Sequence, residues 1–91
     1  MDGLFACDPK KRDVLLQTRG FDLLRMAEVF GDRRRLDVID MRADYGEERR
    51  VTIGRVFGRL FTVVYTVRGP VTWLITAWPS SRRERERYGQ H

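Results

Sequence analysis

The sequence has 91 residues with a formal net charge of +5, and its 42% of hydrophobic residues are enough to bury a core. A chain of this length predicts one domain over residues 1–91, because so small a core cannot be divided into two stable parts. Its apolar runs end well short of the ~20 residues that a membrane-spanning helix needs. The N-terminal charges follow a short apolar patch, the reverse of a secretory signal. We therefore expect a cytoplasmic protein without a membrane segment.

Residue types that bind metals are scarce in this sequence. Cys7 is the single cysteine and cannot form an internal disulfide, and the single histidine is the terminal His91. One thiol without companion ligands makes a poor metal site. The sequence thus predicts no metal site and no cofactor, and it disfavours any mechanism that needs a buried imidazole.

The basic charge is concentrated in the second half of the chain. Residues 1–48 hold nine basic and eleven acidic side chains, whereas residues 49–91 hold nine basic and two acidic ones, so their net charges are −2 and +7. Sixteen of the eighteen cations are arginines, whose planar fork suits phosphate better than lysine does. A polyanionic partner is the first hypothesis, and a merely soluble basic surface is its alternative.

Two short helices are predicted near the N-terminus. Asp8 and Pro9 read as an N-cap and a first helical residue, and the helix over residues 10–19 ends at Gly20. Asp22 can cap a second helix, whose apolar residues recur at spacings of three and four. These residues are Leu23, Met26, Ala27 and Phe30.

The periodicity then changes from helix to strand. Residues 36–41 form a short extended segment, and residues 44–46 read as a turn. Residues 49–55, 60–67 and 71–78 are rich in β-branched and aromatic residues, with turns at residues 57–58 and 68–70 between them. This pattern predicts an antiparallel meander. Ser80 or Ser81 then caps a short C-terminal helix, with Glu84 completing a capping box.

The predicted fold is therefore α+β, with two N-terminal helices packed on a curved antiparallel sheet and a short C-terminal helix. Strand alternation sorts the side chains into two faces. We expect the helices to cover Val51, Ile53, Leu60, Val64, Val71, Trp73, Ile75 and Ala77. The opposite face would hold Arg50, Thr52, Gly54, Phe61, Val63, Tyr65, Thr72, Leu74, Thr76 and Trp78. Such a mixture suits RNA, although an ordinary half-covered sheet is an equally open interpretation.

Four segments, in order and nearly end to end, resemble the BrnT toxins of bacterial type II toxin–antitoxin pairs. They read FACDPKK, TRGFDLLRMAEVF, DYGEERRVTIGRVFGRLFTVVYTVRG and ITAWPSSRRERERY. The resemblance implies a RelE-like fold and a metal-independent endoribonuclease that inhibits translation. It also implies a BrnA-like antitoxin, a ribbon-helix-helix protein that forms a 2:2 complex with the toxin and carries it to operator DNA.

The resemblance holds at some motif positions and fails at others. Cys7 stands where the family has tryptophan, Thr18 and Arg19 replace a lysine and a histidine, and Trp78 replaces an arginine. The matching positions are Asp8, Lys11, Glu48, Arg49, Gly54, Glu84 and Tyr88.

RNA cleavage without a metal uses the 2′-hydroxyl as nucleophile, so the protein must move two protons and stabilise the phosphate. Arginine suits the phosphate but is a poor proton carrier, because its pKa lies near ~13. The candidate catalytic residues are Arg49, Glu48 and Tyr65, with Tyr88 as a further proton carrier. The candidate RNA-binding residues are Lys11, Arg50, Arg55, Thr76, Trp78, Arg82 and Arg83.

Structural roles stay open for several of these residues. Arg49 and Arg50 can form surface ion pairs with neighbouring glutamates, and Tyr65 can be a core ring with a wet hydroxyl. Trp78 can stack a base, cover the terminal helix or bind the antitoxin, and packing is the leading interpretation. Glutamates interleaved with the C-terminal arginines should weaken that basic patch.

The residue pattern leaves two functions open. The favoured one is a toxin that cleaves RNA and is neutralised by its antitoxin. The alternative is a catalytically degenerate relative that serves as an antitoxin-binding corepressor on DNA, as the residues at Thr18, Arg19 and Trp78 indicate. A stand-alone DNA-binding protein is disfavoured because no helix-turn-helix pattern is present.

Overall fold

The computed structural model describes residues 3–91 as a five-stranded sheet with helices before and after it. The elements are β1 (Leu4–Cys7), α1 (Pro9–Arg19), a 3-10 helix (Leu23–Gly31), β2 (Leu36–Ile39), β3 (Arg50–Val56), β4 (Arg59–Arg68), β5 (Val71–Pro79) and α2 (Arg82–Gln90). The strand order is β1-β5-β4-β3-β2. No helix in this described part of the chain combines the length and apolar character that a membrane crossing requires.

The sheet is mixed, so the prediction of a purely antiparallel sheet is wrong. The missed strand is β1, which pairs with β5 in parallel, with Leu4 opposite Val71 and Cys7 opposite Leu74. The other neighbouring strands pair antiparallel. A four-residue strand whose partner lies at the far end of the chain leaves no local turn signal, and this explains why the apolar patch near the N-terminus was not recognised as a strand.

The first predicted helix is confirmed together with both of its caps. The Asp8 side chain accepts a hydrogen bond from the Lys10 backbone N–H at 3.0 Å, and Pro9 is the first helical residue. Gly20 ends α1 with φ of 77°, and its N–H donates to the carbonyls of Leu15 and Leu16. A left-handed residue at this position favours glycine, as the sequence predicted.

The second predicted helix has 3-10 geometry instead of α geometry. Asp22 caps it as expected, accepting from the Leu24 backbone N–H at 3.0 Å. Leu23, Met26 and Val29 are buried beneath it against the sheet. This helix makes most of the helix contacts with β3 and β5, whereas α1 packs mainly against the 3-10 helix. The predicted apolar spacing was therefore correct, although it did not distinguish the two helix types.

The second half of the chain follows the predicted meander within about one residue at most strand ends. The β3–β4 hairpin turns at Phe57 and Gly58, with φ of 51° and 80°. Positive φ at both turn residues is the pattern of a two-residue type I′ hairpin. In α2, Ser81 accepts from the Glu84 N–H and the Glu84 carboxylate accepts from the Ser81 N–H, so the predicted capping box is confirmed.

The two faces are reversed relative to the prediction in β3, β4 and the first part of β5, whereas Thr76, Ala77 and Trp78 lie on the faces predicted for them. Phe61, Val63 and Tyr65 pack in the core with the 3-10 helix, whereas Val51 and Val64 lie on the opposite side. The alternation in β5 is broken as well, because Val64 pairs with Thr76 while Tyr65 pairs with Leu74. Ile75 is the extra residue of a β-bulge, which changes the face of every residue after it.

Gly54 permits the close approach of the 3-10 helix to β3, and this generates a stability prediction. A Cβ at this position would lie 2.8 Å from Val29 Cγ2 and 3.0 Å from Arg35 Cβ. We expect Gly54→Ala to lower the free energy of unfolding by about 1–3 kcal/mol, measured by denaturant titration. Gly89→Ala is the matched control, because a Cβ there meets nothing within 4 Å. Equal stability of the two variants would contradict this packing.

Candidate nucleic-acid interface

We call the side of the sheet opposite the 3-10 helix the open face, and α2 covers one end of it. On that face the Thr62 hydroxyl lies 2.9 Å from the Ser80 hydroxyl. The Trp78 indole, which is opposite Thr62 in the strand register, donates to the Glu84 carboxylate at 3.1 Å. Both Thr62 and Ile53 are buried. The other end of the open face is free of α2.

That free end contains a cavity of about 350 Å³, which we call the basic groove. Lys11 comes from the first turn of α1, Arg49 precedes β3 and Arg68 ends β4. The residues lining the groove are Asp8, Lys11, Arg49, Arg68, Trp73, Ile75 and Thr76. Three cations from three separate elements therefore converge beside an indole and a hydroxyl.

Two of the groove cations are held by a carboxylate from the preceding loop. Glu47 accepts from Arg68 Nε at 3.1 Å and from Arg68 Nη2 at 2.9 Å. The same carboxylate lies 3.7 Å from Arg49 Nε. The hydrogen bond from Arg68 is the main reason that the pKa of Glu47 lies below its usual value. Glu47 thus stays ionised and binds Arg68 with the two-oxygen geometry that a phosphate also offers.

Arginine side chains in the groove also pack on aromatic rings. The Arg68 guanidinium carbon lies 5.0 Å from the centre of the Trp73 ring, and that of Arg49 lies 4.1 Å from the centre of Tyr45. The buried Arg49 Nε has no hydrogen-bond partner within residues 3–91. The Glu47 carboxylate lies 3.7 Å from this atom, too far for a hydrogen bond.

A second depression surrounds Trp78, and we call it the Trp78 cleft. It joins cavities of about 680 and 240 Å³ between α2 and the loop after β2. The Arg42 guanidinium carbon lies 5.9 Å from the Trp78 ring centre, and Asp40 holds Arg42 through two contacts of 2.8 Å. Besides Trp78, Glu84, Asp40 and Arg42, the cleft is lined by Val38, Ile39, Met41, Val51, Ser81, Arg83 and Arg87.

On the helix side a third depression, the hairpin cavity, is largely apolar. Its volume is about 280 Å³, and Phe21, Met26, Val56, Phe57 and Phe61 contribute to its lining. Phe57 is 68% exposed at the tip of the β3–β4 hairpin. The hairpin cavity lies on the opposite side of the sheet from the basic groove.

The basic groove brings together only some of the residues predicted from the sequence. Lys11, Arg49 and Thr76 line it, and Trp78 with Arg83 lines the neighbouring cleft.

The remaining predicted residues lie elsewhere. The Glu48 side chain is 63% exposed and lies 3.6 Å from Arg50. The Arg55 guanidinium carbon lies 5.9 Å from the Tyr88 ring centre near the end of α2. Arg82 is 88% exposed and pairs with a glutamate one turn later.

Tyr65 and Arg50 lie on the helix side of the sheet, around Asp37. The Asp37 carboxylate accepts from the Tyr65 hydroxyl at 2.5 Å and from Arg50 Nε at 2.6 Å, and it also pairs with Arg35. Burial raises the pKa of Tyr65, and the hydrogen bond to Asp37 raises it further. Tyr65 therefore keeps its proton, on the side of the sheet away from the basic groove.

Sequence reasoning missed Arg68 and Trp73 as parts of the groove. Trp73 was assigned to the helix side, because alternation along β5 cannot reveal the bulge at Ile75. Arg68 was assigned to a turn, although it is the last residue of β4. The aromatic and basic types of these residues were the only signal in the sequence that could have identified them.

Comparison with protein families decides the class of this molecule. Residues 7–84 match the family described as the ribonuclease toxin, BrnT, of type II toxin–antitoxin systems. The chain belongs to the BrnT family. Members of the BrnT family are toxins with ribonuclease activity, so RNA is their substrate and a protein antitoxin is their partner. The matched residues include the whole basic groove and Trp78. A comparison with curated proteins found no significant match.

Residues that bind metals are dispersed in this BrnT-family chain. Within residues 3–91, no three side chains of histidine, cysteine, aspartate or glutamate come together in a way that could hold a metal ion. The polar groups lining the basic groove are instead mostly cationic.

Asp40 generates a pH prediction for the loop beside the Trp78 cleft. Hydrogen bonds from Arg42 lower the pKa of this buried carboxyl to about 2. The pKa of Asp40 is lower in the folded state than in the unfolded state, where it is ~3.9. The ionised carboxylate therefore contributes fully to the stability of the fold above pH ~3.9, and this contribution is lost as the pH falls toward 2. We expect Asp40→Asn to cost about 1–3 kcal/mol of unfolding free energy at pH 7 and progressively less below pH ~4.

The control for this prediction is Asp13→Asn, which changes an exposed aspartate of α1. Denaturant unfolding of the wild type and both variants across the acid range provides the comparison. A cost for Asp40→Asn that stays constant down to pH ~2 would contradict the proposed ionisation.

Proposed function

We propose that this protein is a metal-independent endoribonuclease that cleaves RNA in the basic groove and thereby inhibits translation in the cytoplasm. The observation that carries the proposal is the convergence of Lys11, Arg49 and Arg68 with Thr76 on the open face. In the sequence analysis Lys11 and Thr76 were candidate RNA-binding residues, and Arg49 was a candidate catalytic residue. Family membership supports the ribonuclease activity.

The groove is suited to stabilising a phosphate whose negative charge grows during reaction. The Arg68 fork already binds the Glu47 carboxylate through two hydrogen bonds, and Arg49 Nε lies 3.7 Å from the same carboxylate. A carboxylate resembles a phosphate in its charge and its oxygens. In the proposed reaction an incoming phosphate takes the place of that carboxylate beside Arg49 and Arg68. Charge-assisted bonds of this kind strengthen as charge develops on the phosphorus oxygens.

Asp8 is the carboxylate that lines the groove, and we assign it the first proton transfer. Its Oδ1 caps α1 by accepting from the Lys10 N–H, and Oδ2 has no hydrogen bond in the described part of the chain. In the proposed reaction Asp8 takes the proton of the 2′-hydroxyl, and the 2′-oxygen attacks phosphorus. As the bond to the 5′-oxygen breaks, the Lys11 ammonium gives that oxygen a proton. The products carry a 2′,3′-cyclic phosphate and a 5′-hydroxyl.

The other proton carriers suggested by the sequence are less well placed. The hydroxyl groups of Tyr65 and Tyr88 are engaged as hydrogen-bond donors to the carboxylates of Asp37 and Asp32. Burial raises the pKa of both tyrosines, so neither readily accepts a proton at neutral pH. Glu48 does not line the groove.

The protein partner is proposed to be a BrnA-like antitoxin of the ribbon-helix-helix class. The net charge of +7 in residues 49–91 favours a partner with an acidic segment, since that charge repels other basic surfaces. We propose a 2:2 complex in which the antitoxin contacts operator DNA and the toxin does not.

A second candidate function is a catalytically degenerate corepressor subunit. It is favoured by Trp78, whose indole is bonded to Glu84 where the family resemblance places an arginine. Thr18 and Arg19 weigh less, because they lie at the other end of α1, about 10–12 Å along the helix from the groove residue Lys11. Growth arrest on expression without an antitoxin distinguishes an active toxin from this alternative.

Asp8→Asn tests the proposed chemistry without removing the helix cap. Asparagine caps helices about as well as aspartate does, so the melting temperature should be retained. We expect kcat for a fluorescent RNA substrate to fall about 10²–10⁴-fold with a chelator present, because the proton acceptor is lost. Glu48→Gln is the companion variant and should keep activity within a few-fold. The reverse result would assign the base to Glu48, and loss of wild-type activity on chelation would contradict metal independence.

A further inference from the structure

Trp73 is an indole on the open face that the buried core does not use. The next residue, Leu74, is fully buried in the core with Val63 and Ala77, whereas Trp73 is partly exposed and lies outside that core. The bulge at Ile75 places Trp73 and Thr76 on the same face, although residues three apart in a regular strand lie on opposite faces. Packing of the core therefore does not account for this large ring.

The ring is positioned among groups that bind phosphate. Trp73 lines the basic groove together with Lys11 and Arg49. One surface of the indole holds the Arg68 guanidinium, 5.0 Å from the ring centre. Glu47 keeps Arg68 at that position through contacts of 3.1 and 2.9 Å. The aromatic surface of the indole is thus covered by Arg68, and Arg68 can leave it by binding a phosphate in place of Glu47.

We propose that Trp73 is the stacking platform for one nucleobase of the bound RNA, next to the phosphate held by Arg49 and Lys11. The base takes the place of the Arg68 guanidinium over the indole, and Arg68 exchanges Glu47 for an RNA phosphate. This inference rests on the proposed ribonuclease function and adds a base-binding subsite to it. Stacking on an indole tolerates any base, so the subsite fixes the position of a nucleotide more than its identity.

The exchange is balanced in its electrostatic contacts. Arg68 loses one bidentate carboxylate and gains one phosphate, and its side chain is 48% exposed, so it can move without disturbing the core. The indole loses a cation and gains a flat ring. Stacking of one base on an aromatic side chain is expected to strengthen binding roughly 5- to 100-fold.

The neighbouring Trp78 is less able to perform this role. Its Nε1 donates to both oxygens of Glu84, at 3.1 and 3.3 Å, so its ring is fixed against α2. Trp73 has no such bond within the described residues, and its position beside Lys11 and Arg49 places it nearer the phosphate site. Of the two indoles, Trp73 is therefore the one that the geometry assigns to base stacking.

The test compares the binding of intact and abasic RNA to this protein. Short fluorescein-labelled RNAs carrying 2′-O-methyl groups cannot be cleaved, because the nucleophile is blocked. One RNA is intact, and a matched series lacks the base at successive single positions. Affinity is measured by fluorescence anisotropy for wild type, Trp73→Phe and Trp73→Leu, with the melting temperature of each variant as the control for folding.

We expect the wild type to lose roughly 5- to 100-fold in affinity for the RNA that is abasic at one particular position. Trp73→Leu should bind all the RNAs alike, and Trp73→Phe should keep most of the difference because it retains a ring. Equal binding of every RNA by the wild type would overturn the stacking platform and leave the proposed function standing. An abasic effect that persists in Trp73→Leu would overturn it too, by placing the base elsewhere. Failure of every RNA to bind at low salt would instead overturn the proposed function.

Discussion

The register shift between β4 and β5 is the constraint on which the rest of the structure depends. Leu74, which precedes the shift in β5, and Ala77, which follows it, both face the 3-10 helix. A regular strand would direct Trp73 and Thr76 to opposite faces, because side chains alternate with a period of two. One extra residue, Ile75, allows β5 to contribute to the core throughout its length and still place Trp73, Thr76 and Trp78 on the open face.

The open face combines concentrated positive charge with internal neutralisation. Glu47 binds Arg68 and lies near Arg49, and Asp8 lies in the same groove as Lys11. The folded protein therefore avoids leaving three neighbouring cations without counter-charges. When RNA binds, its phosphate must replace Glu47 as the partner of the arginines. The affinity therefore depends on how much more strongly the phosphate and the base bind the groove than Glu47 does.

Local features of the fold could be read from the sequence, and non-local ones could not. The caps at Asp8, Gly20 and Ser81 and the strands of the meander were predicted correctly, because each depends on neighbours a few residues away. The strand β1 was missed because its partner is distant. The faces of β3 and β4 were reversed because both sides of these strands carry apolar residues, and only the packing of the 3-10 helix at Gly54 decides between them. Lys11, Arg49 and Thr76 were candidate site residues because of their residue types and the family resemblance, whereas Trp73 was placed on the wrong side because the bulge at Ile75 leaves no signal in the sequence.

The most direct measurement of RNA binding on the open face is an amide and indole NMR spectrum during titration with uncleavable 2′-O-methyl RNA. The chain has two tryptophans, so it gives two indole N–H signals whose assignment follows from one substitution each. We expect the Trp73 indole and the Arg49 and Thr76 amides to shift with RNA, while the amides of Phe21 and Phe57 around the hairpin cavity do not. Shifts confined to the hairpin cavity, with the groove signals unchanged, would contradict the location of the RNA site.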